Sequence, residues 1–254
     1  MPTPFYHLDV AEMVLSHKDL PVEVHGFLSH HKPAFVFGNV APDVQVVSGQ
    51  KREETHFFRL PVSENKRYPW DQIFRENPGL THPCVLSPDH AAFMAGYLCH
   101  LQADWSWAVE IFEPVFGMHA SWSTFHDRLY LHNVLRSYMD LKVLERLNGR
   151  TRHHLERSDF DGWLPFIDDS YLLEWRDLLT CQLKPGSEIQ SVEVFAARQG
   201  ISPENYYGLL NSDQGLNTKI FSQLPRHRLD KYLRNLIRDN MDTLMTYLGQ
   251  ISFV

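Results

Sequence analysis

The stretch SPDHAAFMAGYLCHLQADWSWAVEIF, residues 87–112, decides the fold. Ser87 before Pro88 marks a helix start: a serine cap, then a proline whose missing N–H costs nothing in the first turn. The run that follows predicts one long apolar helix ending near Phe112. On it His100 and Asp104 stand four residues apart, so imidazole and carboxylate share a face. Phe93, Tyr97 and Leu101 before or within the pair, and Trp105 and Trp107 after it, set it against a core. An ionised aspartate there needs a partner, because an unpaired buried charge is costly. A borderline ion such as Zn²⁺, which takes nitrogen and carboxylate ligands, would serve. So would a His–Asp hydrogen bond inside a helix bundle, and for this pair alone that is the simpler account.

Helix signals punctuate the rest of the chain. Thr3 caps a helix that begins at Pro4 and runs to Leu15, Pro21 starts a second through about Ser29, and Pro33 starts a short third ending at Gly38. From Asn39 to about Arg67 no helical period is sustained, and the segment reads as a long loop, a feature that is usually functional inside a compact domain. A second long helix is expected from Ser121 to Leu147, closed by Asn148-Gly149. Others are expected near Asp169–Leu183, Ser191–Arg198, Pro203–Leu210 and Pro225–Leu248. Strand patterns are lacking, so the class is all-α. A metal-binding helical domain over 1–185 and a helical C-terminal extension over 186–254 would divide at Leu183-Lys184-Pro185-Gly186-Ser187.

Bulk properties narrow the function. With 254 residues, 43% of them hydrophobic, the chain can bury a full core. No run of about 18 apolar residues occurs, so no transmembrane segment is expected. The opening MPTPFYHLDVAEMVL lacks the marks of a secretory signal. Cys84, Cys99 and Cys181 are too scattered for a disulfide framework, and a cytoplasmic protein is expected. A formal net charge of −7 disfavours a general nucleic-acid binder. It leaves room for a phosphate-processing site, where bound metal dominates the local charge.

Two elements outside the long helix change the balance. Pro42-Asp43 falls in the long loop, and His56 follows thirteen residues later in Glu54-Thr55-His56-Phe57-Phe58. Asp, then His, then the helical His-xxx-Asp supply four ligand-type groups from a loop and one rigid helix. The motifs FGNVAPDV (37–44), ETHFF (54–58) and AFMAGYLCHLQADW (92–105), with FYHLDVAEMVL (5–15) as a weaker match, resemble the zinc-dependent phospholipase C family and the related single-strand-specific zinc nucleases. The resemblance covers roughly the first 140 residues, and such a set of spaced motifs is more specific than any one of them. It implies a single multi-helix domain of that type. It also implies that Asp43, His56, His100 and Asp104 hold one zinc, with Asp104 bridging to a second metal that takes His7.

The departures from the family pattern are specific. Family members place a histidine six residues after the bridging aspartate, and a later His-xxx-Glu completes a third zinc. Here those places hold Glu110 and the run from His132 to Arg136. Glu110 and His132 can still ligate a metal, whereas the guanidinium of Arg136 stays protonated and cannot. Either the third site is remodelled or lost, or Arg136 supplies positive charge to a phosphate oxygen. Its paired N–H donors suit the second role, which is the favoured expectation. Secreted members also use a processed N-terminal tryptophan as a ligand. This chain reads Met1-Pro2 there, leaving His7 with fewer helpers.

The resemblance implies a zinc-dependent phosphoester hydrolase, in which metal-activated water attacks a phosphodiester or phosphomonoester. Two zinc ions, or three if Glu110 and His132 rebuild the last site, would be the cofactors. Asp43 would double as a base orienting the water and Arg136 would grip the phosphate of a small phosphoester or phospholipid. The rival is a metal-stabilised binding or scaffold protein that keeps one zinc closed by four protein ligands. Other features read more plainly. His30-His31 suits a helix C-terminus, and His90 lies about 80° around the helix from His100. His126-Asp127 does not extend into a His-Asp phosphohydrolase pattern. Lys231, Arg234 and Arg238 read as the solvated face of the last helix.

Overall fold

Ser87 caps the seventh helix of the chain, α7, which runs Pro88–Trp107, and its Oγ accepts from the backbone N–H of His90. Every residue from Ala91 to Asp104 is buried. A helix apolar on all sides belongs in the middle of a bundle, and that is where α7 lies. The computed structural model describes residues 1–62, 70–144, 146–147, 149–184, 186 and 190–251. Around α7 the described residues form α1 (Pro4–Leu15), α2 (Val22–His30), α3 (Lys32–Gly38), α4 (Gln45–Ser48), α5 (Arg52–His56), α6 (Asp71–Glu76), α8 (Phe125–Leu144), α9 (Gly149–Glu156), α10 (Asp169–Gln182), α11 (Ser191–Gln199), α12 (Pro203–Leu210), α13 (Asp213–Leu216) and α14 (Arg226–Leu248). No strand occurs among them, and the fold is all-α.

The tightest contact in the bundle sets up the site. Helices α3 and α7 press backbone to backbone through two glycines. A Cβ on Gly38 would come within 2.1 Å of the Phe93 carbonyl oxygen, and one on Gly96 within 2.2 Å of that of Phe35. No side chain fits at either place, so the two glycines let the helices close to a distance that larger residues forbid. The end of α3 is thereby held against α7 one turn before His100. Asn39, the residue after α3, lies at that junction with only 2% of its surface exposed.

The long loop expected from Asn39 resolves into short helical pieces: a 3₁₀ turn over Ala41–Val44, then α4, then α5. Each is too short to display a helical period, which is why the sequence reads as loop. Gly49, with φ of 70°, ends α4, and the Glu54 carboxylate accepts from the Lys51 backbone N–H to start α5. Residues 63–67 of that loop lie outside the described residues. Helix α8 begins at Phe125 rather than Ser121, because Thr124 is the cap: its Oγ1 accepts from the Asp127 backbone N–H at 3.1 Å. The expected end at Leu147 and Asn148 falls partly outside the described residues, as does the divide at Pro185 and Ser187.

The C-terminal helices share the core. Helix α14 packs along α7 and α1, and α11 packs on α8. Tyr232 donates from its hydroxyl to the Ala103 carbonyl at 3.2 Å, and Tyr247 donates to that of Leu80 at 3.0 Å. Lys231, Arg234 and Arg238 lie toward the outer side of α14, while Tyr232, Leu236 and Leu244 are buried. No described helix is long and apolar enough to cross a membrane.

Candidate metal centre

Five ligand-type side chains meet beside the α3–α7 junction. They fall into two overlapping groups, His7 with His100 and Asp104, and Asp43 with His56 and His100, the ligand atoms within each group lying within 4.8 Å of one another. His56 and His100 are 0% exposed, and His7 and Asp104 are 1% exposed. Asp104 is the hub. Its Oδ1 stands 3.3 Å from Nε2 of His7, and its Oδ2 stands 3.3 Å from Nε2 of His56 and 3.9 Å from Nε2 of His100. Asp43 reaches Nε2 of His56 at 3.6 Å with its Oδ1. The structure thus brings together His7, Asp43, His56, His100 and Asp104, all expected from the sequence.

Hydrogen bonds behind the cluster fix how the histidines face it. Nδ1 of His100 lies 2.8 Å from the Asn39 carbonyl oxygen. A carbonyl can only accept, so Nδ1 carries the proton and Nε2 of the neutral ring presents a lone pair. Nδ1 of His56 lies 2.9 Å from Oγ1 of Thr55, whose own hydroxyl donates to the Arg52 carbonyl at 3.2 Å. With its hydrogen so committed, Oγ1 accepts, and His56 also turns an Nε2 lone pair inward. The two Nε2 atoms face each other at 3.2 Å. Two lone pairs and two carboxylates pointed at one place repel unless a cation sits among them. Such outer partners, which fix tautomer and ring orientation, accompany metal-binding histidines as a rule.

Two further atoms fit the same account. Nε2 of His7 and Oδ1 of Asp104 are buried without a hydrogen-bond partner in the structure. Buried polar atoms are nearly always satisfied, and both of these are ligand-type atoms that a cation between them would satisfy. The His7 ring stacks on that of His100 with centroids 3.8 Å apart, so the second group shares a rigid wall with the first. Helix α1 positions His7 through the Thr3 cap, whose Oγ1 accepts from the Tyr6 backbone N–H.

Electrostatics agree with the geometry. Burial pushes the His100 imidazole down to about 3, with the neighbouring His7 adding to the shift, so the ring is neutral at physiological pH. For Asp43 burial alone would raise the pKa, but His100 and His56 outweigh it and the carboxyl sits at about 2. Asp104 shows the same contest, and His56, His7 and Arg52 hold it well below the ordinary carboxylate range. The centre therefore offers a neutral His100 imidazole and two ionised carboxylates, the protonation states a metal requires of those groups.

Helix α5 is pinned so that His56 stays in place. Tyr97 of α7 donates its hydroxyl to the Thr55 carbonyl. Phe57, which follows His56, takes a left-handed conformation with φ of 60°, unusual for a bulky residue and a form of strain that clusters at functional sites. That turn sends Phe57 onto Phe166 and Phe58 onto Trp105, with ring centroids 5.1 and 5.4 Å apart. Trp175 of α10 donates to the Val40 carbonyl at 2.8 Å and steadies the segment leading to Asp43.

Glu110 and His132 do not join the cluster. From Ala108 to Phe116 the chain continues α7 as a π-helix, and the Glu110 carboxylate faces α14, with Oε2 3.5 Å from Nδ2 of Asn235. His132 accepts the indole N–H of Trp107 at 2.9 Å through Nε2 and is enclosed by Phe112 and Phe116. Burial pushes its pKa well below the ordinary value, and its inward nitrogen is already used. Arg136, one turn further along α8, does face the site: it lines the same cavity as Asp43.

Arg52 enters the site without a sequence signal. Its Nη2 lies 2.5 Å from Oδ2 of Asp104, and its guanidinium stacks over the Phe58 ring at 4.6 Å. In the sequence it belongs to the charged run Lys51-Arg52-Glu53-Glu54 within the segment that reads as a long loop. Asn39 and Thr55 were equally silent, because each works through the histidine it bonds. Among family models, curated proteins and solved structures, none matches this chain.

Proposed function

We propose that this protein is a zinc-dependent phosphoester hydrolase of the phospholipase C-like kind, its ions held by His7, Asp43, His56, His100 and Asp104. The observation that supports the reading best is the convergence of the two Nε2 lone pairs on ionised Asp43 and Asp104, beside the orphaned His7 Nε2. Nitrogen and carboxylate donors suit zinc, and two ligand groups that meet at His100 suit a pair of ions. Bound there, zinc supplies Lewis acidity to a phosphoryl oxygen and makes water a competent nucleophile near neutral pH.

The chain's own residues account for the rest. Asp43 lines a cavity of about 360 Å³ and is the one ligand open to it, being 16% exposed. At a pKa of about 2 its carboxylate is a weak proton acceptor, so its role is to accept a hydrogen bond from the attacking water and aim it. Arg136 is pushed down by burial to about 10 and remains cationic at neutral pH. It lines the same cavity, where its guanidinium can bind the phosphoryl oxygens as charge builds. Arg52, already on Asp104, screens the carboxylate from the incoming anion.

The near-complete burial of His7, His56, His100 and Asp104 favours a second reading, a closed structural zinc in a binding or scaffold protein. Rates on a chromogenic phosphodiester and phosphomonoester, with and without chelator, separate the two. Chelator-sensitive hydrolysis restored by zinc is the expected result. A tightly held metal with no turnover on either substrate would leave the scaffold reading standing and end the hydrolase one.

A further inference from the structure

The cavity next to the metal centre is cationic in a chain whose net charge is −7. Arg52, Arg136 and Arg198 line it, and Asp43, turned toward His56 and His100, is the single carboxylate among the described lining residues. Arg52 is neutralised by Asp104. Neither of the other two makes an ion pair among the described residues, although Asp140, Asp43 and Asp104 attract Arg136 from further off. Arg136 stacks its guanidinium on the Phe195 ring at 4.2 Å and donates from Nη1 to Oδ1 of Asn133 at 3.1 Å. Its Nε is buried without a partner. The nearest carboxylate on its own helix, Asp140, has both oxygens taken by the hydroxyls of Thr3 and Ser191. Arg198 is exposed and makes no ion pair among the described residues, and its charge acts repulsively on Arg136.

Helix geometry explains why Arg198 meets Arg136. Ser191, Val194, Phe195 and Arg198 follow the i, i+3, i+4, i+7 spacing of one helix face, and that face of α11 lines the cavity. Phe195 thus lies under the Arg136 guanidinium while Arg198 follows one turn on. Arg136 and Arg198 are like charges brought to one cavity with no ion pair between either of them and a carboxylate among the described residues, and an anion between them relieves the repulsion. Gln45, Gln182, Gln190 and Ser191 add neutral polar groups to the lining.

We propose that Arg198, next to the phosphoryl-binding Arg136, extends this cavity into a second anion subsite, so that the natural substrate carries another oxyanion besides the phosphoryl group held at the metal centre. This rests on the phosphoester reading for the first group, while the subsite itself rests on the two guanidinia. The second oxyanion is a phosphate or a carboxylate, both of which a guanidinium binds through paired N–H donors. A substrate with a neutral or cationic far end is disfavoured by the same charges.

Calorimetric titration of the zinc-loaded protein with alkylphosphonates, which have no ester to hydrolyse, tests the subsite. Propylphosphonate carries one oxyanion, propane-1,3-bisphosphonate carries two, and 3-phosphonopropionate pairs a phosphonate with a carboxylate. The expected result is that at least one two-anion ligand binds about tenfold or more tightly than propylphosphonate, equivalent to about 1.4 kcal/mol. Which of the two wins identifies the second group. Arg198→Gln should erase the advantage while leaving propylphosphonate binding unchanged, and Arg198→Lys should restore part of it. Arg198 is exposed, so unchanged thermal unfolding should accompany both variants. Equal affinity for all three ligands, or an advantage that survives in Arg198→Gln, would overturn the subsite. Repeating the titration with inorganic phosphate after chelator treatment keeps the two readings apart. Binding that persists and depends on Arg198 supports the subsite even if no zinc is found.

Discussion

Asp104 and Asp140 are the same residue at the same depth, each 1% exposed, yet the fold treats them in opposite ways. Asp104 on α7 is surrounded by His7, His56, His100 and Arg52, and its pKa is driven well below the ordinary value. Asp140 on α8 meets the hydroxyls of Thr3 and Ser191, and burial pushes it up to about 6. Burial alone raises a carboxylate; what stands opposite decides whether the charge survives. Imidazoles and a guanidinium make Asp104 an anion with an oxygen left over, which suits it to hold a cation. Two hydroxyls make Asp140 a clasp that ties the start of α1 to the start of α11.

That contrast can be broken most directly by exchanging each carboxylate for its amide. Asp104→Asn should weaken zinc binding by at least about a hundredfold, more than loss of an outer partner does. Asp140→Asn should leave zinc affinity unchanged, as read by competition with a chromogenic chelator. Equal losses in the two variants would mean that burial, not the partner set, makes Asp104 special.

The next effect is on stability. Asp140 binds its proton more tightly folded than unfolded, since about 6 exceeds its ordinary 3.8. Stability therefore falls as pH rises through the window from about 4 to 6, by up to about 3 kcal/mol. His100 and His132, both pushed down, act in the opposite direction over much of that range, so the informative quantity is the difference between variants. Denaturant unfolding of wild type and Asp140→Asn should match near pH 4, and the amide variant should be the more stable at pH 7. A constant difference across the range would remove Asp140 from the account.

The smallest effect sharpens the role of the outer partners. Thr55→Val removes the acceptor that fixes the His56 tautomer, and zinc affinity should fall about tenfold with little change in stability. Ser191→Ala, the matching change at the other clasp, should leave zinc affinity as it was. A Thr55→Val variant that binds zinc like wild type would show that Phe57 and Tyr97 hold His56 without help from the hydroxyl.

Much of this was visible in the sequence, for reasons that differ by element. Helices α1, α7, α12 and α14 show clearly because Ser or Thr before proline, proline starts and long apolar periods are local signals. The cluster was legible because its spacing is partly local too: His100 and Asp104 share a helix face whatever the rest of the chain does. Arg52 and Arg198 were not legible. Neither carries a local signal, and it takes the folding of α5 and α11 to bring them to the wall of one cavity. Glu110 and His132 erred the other way: ligand-type residues in family-like places, turned aside by a π-helical turn and by the Trp107 indole. The glycines at 38 and 96 matter most to the architecture, but nothing local tells which glycines meet.

Zinc content of the protein purified without chelator, measured by elemental analysis beside Asp104→Asn, tests the central claim most directly. Two zinc ions per chain in the wild type, lost in the variant, is the result this account predicts. No metal in the wild type, or the same content in both proteins, would contradict it.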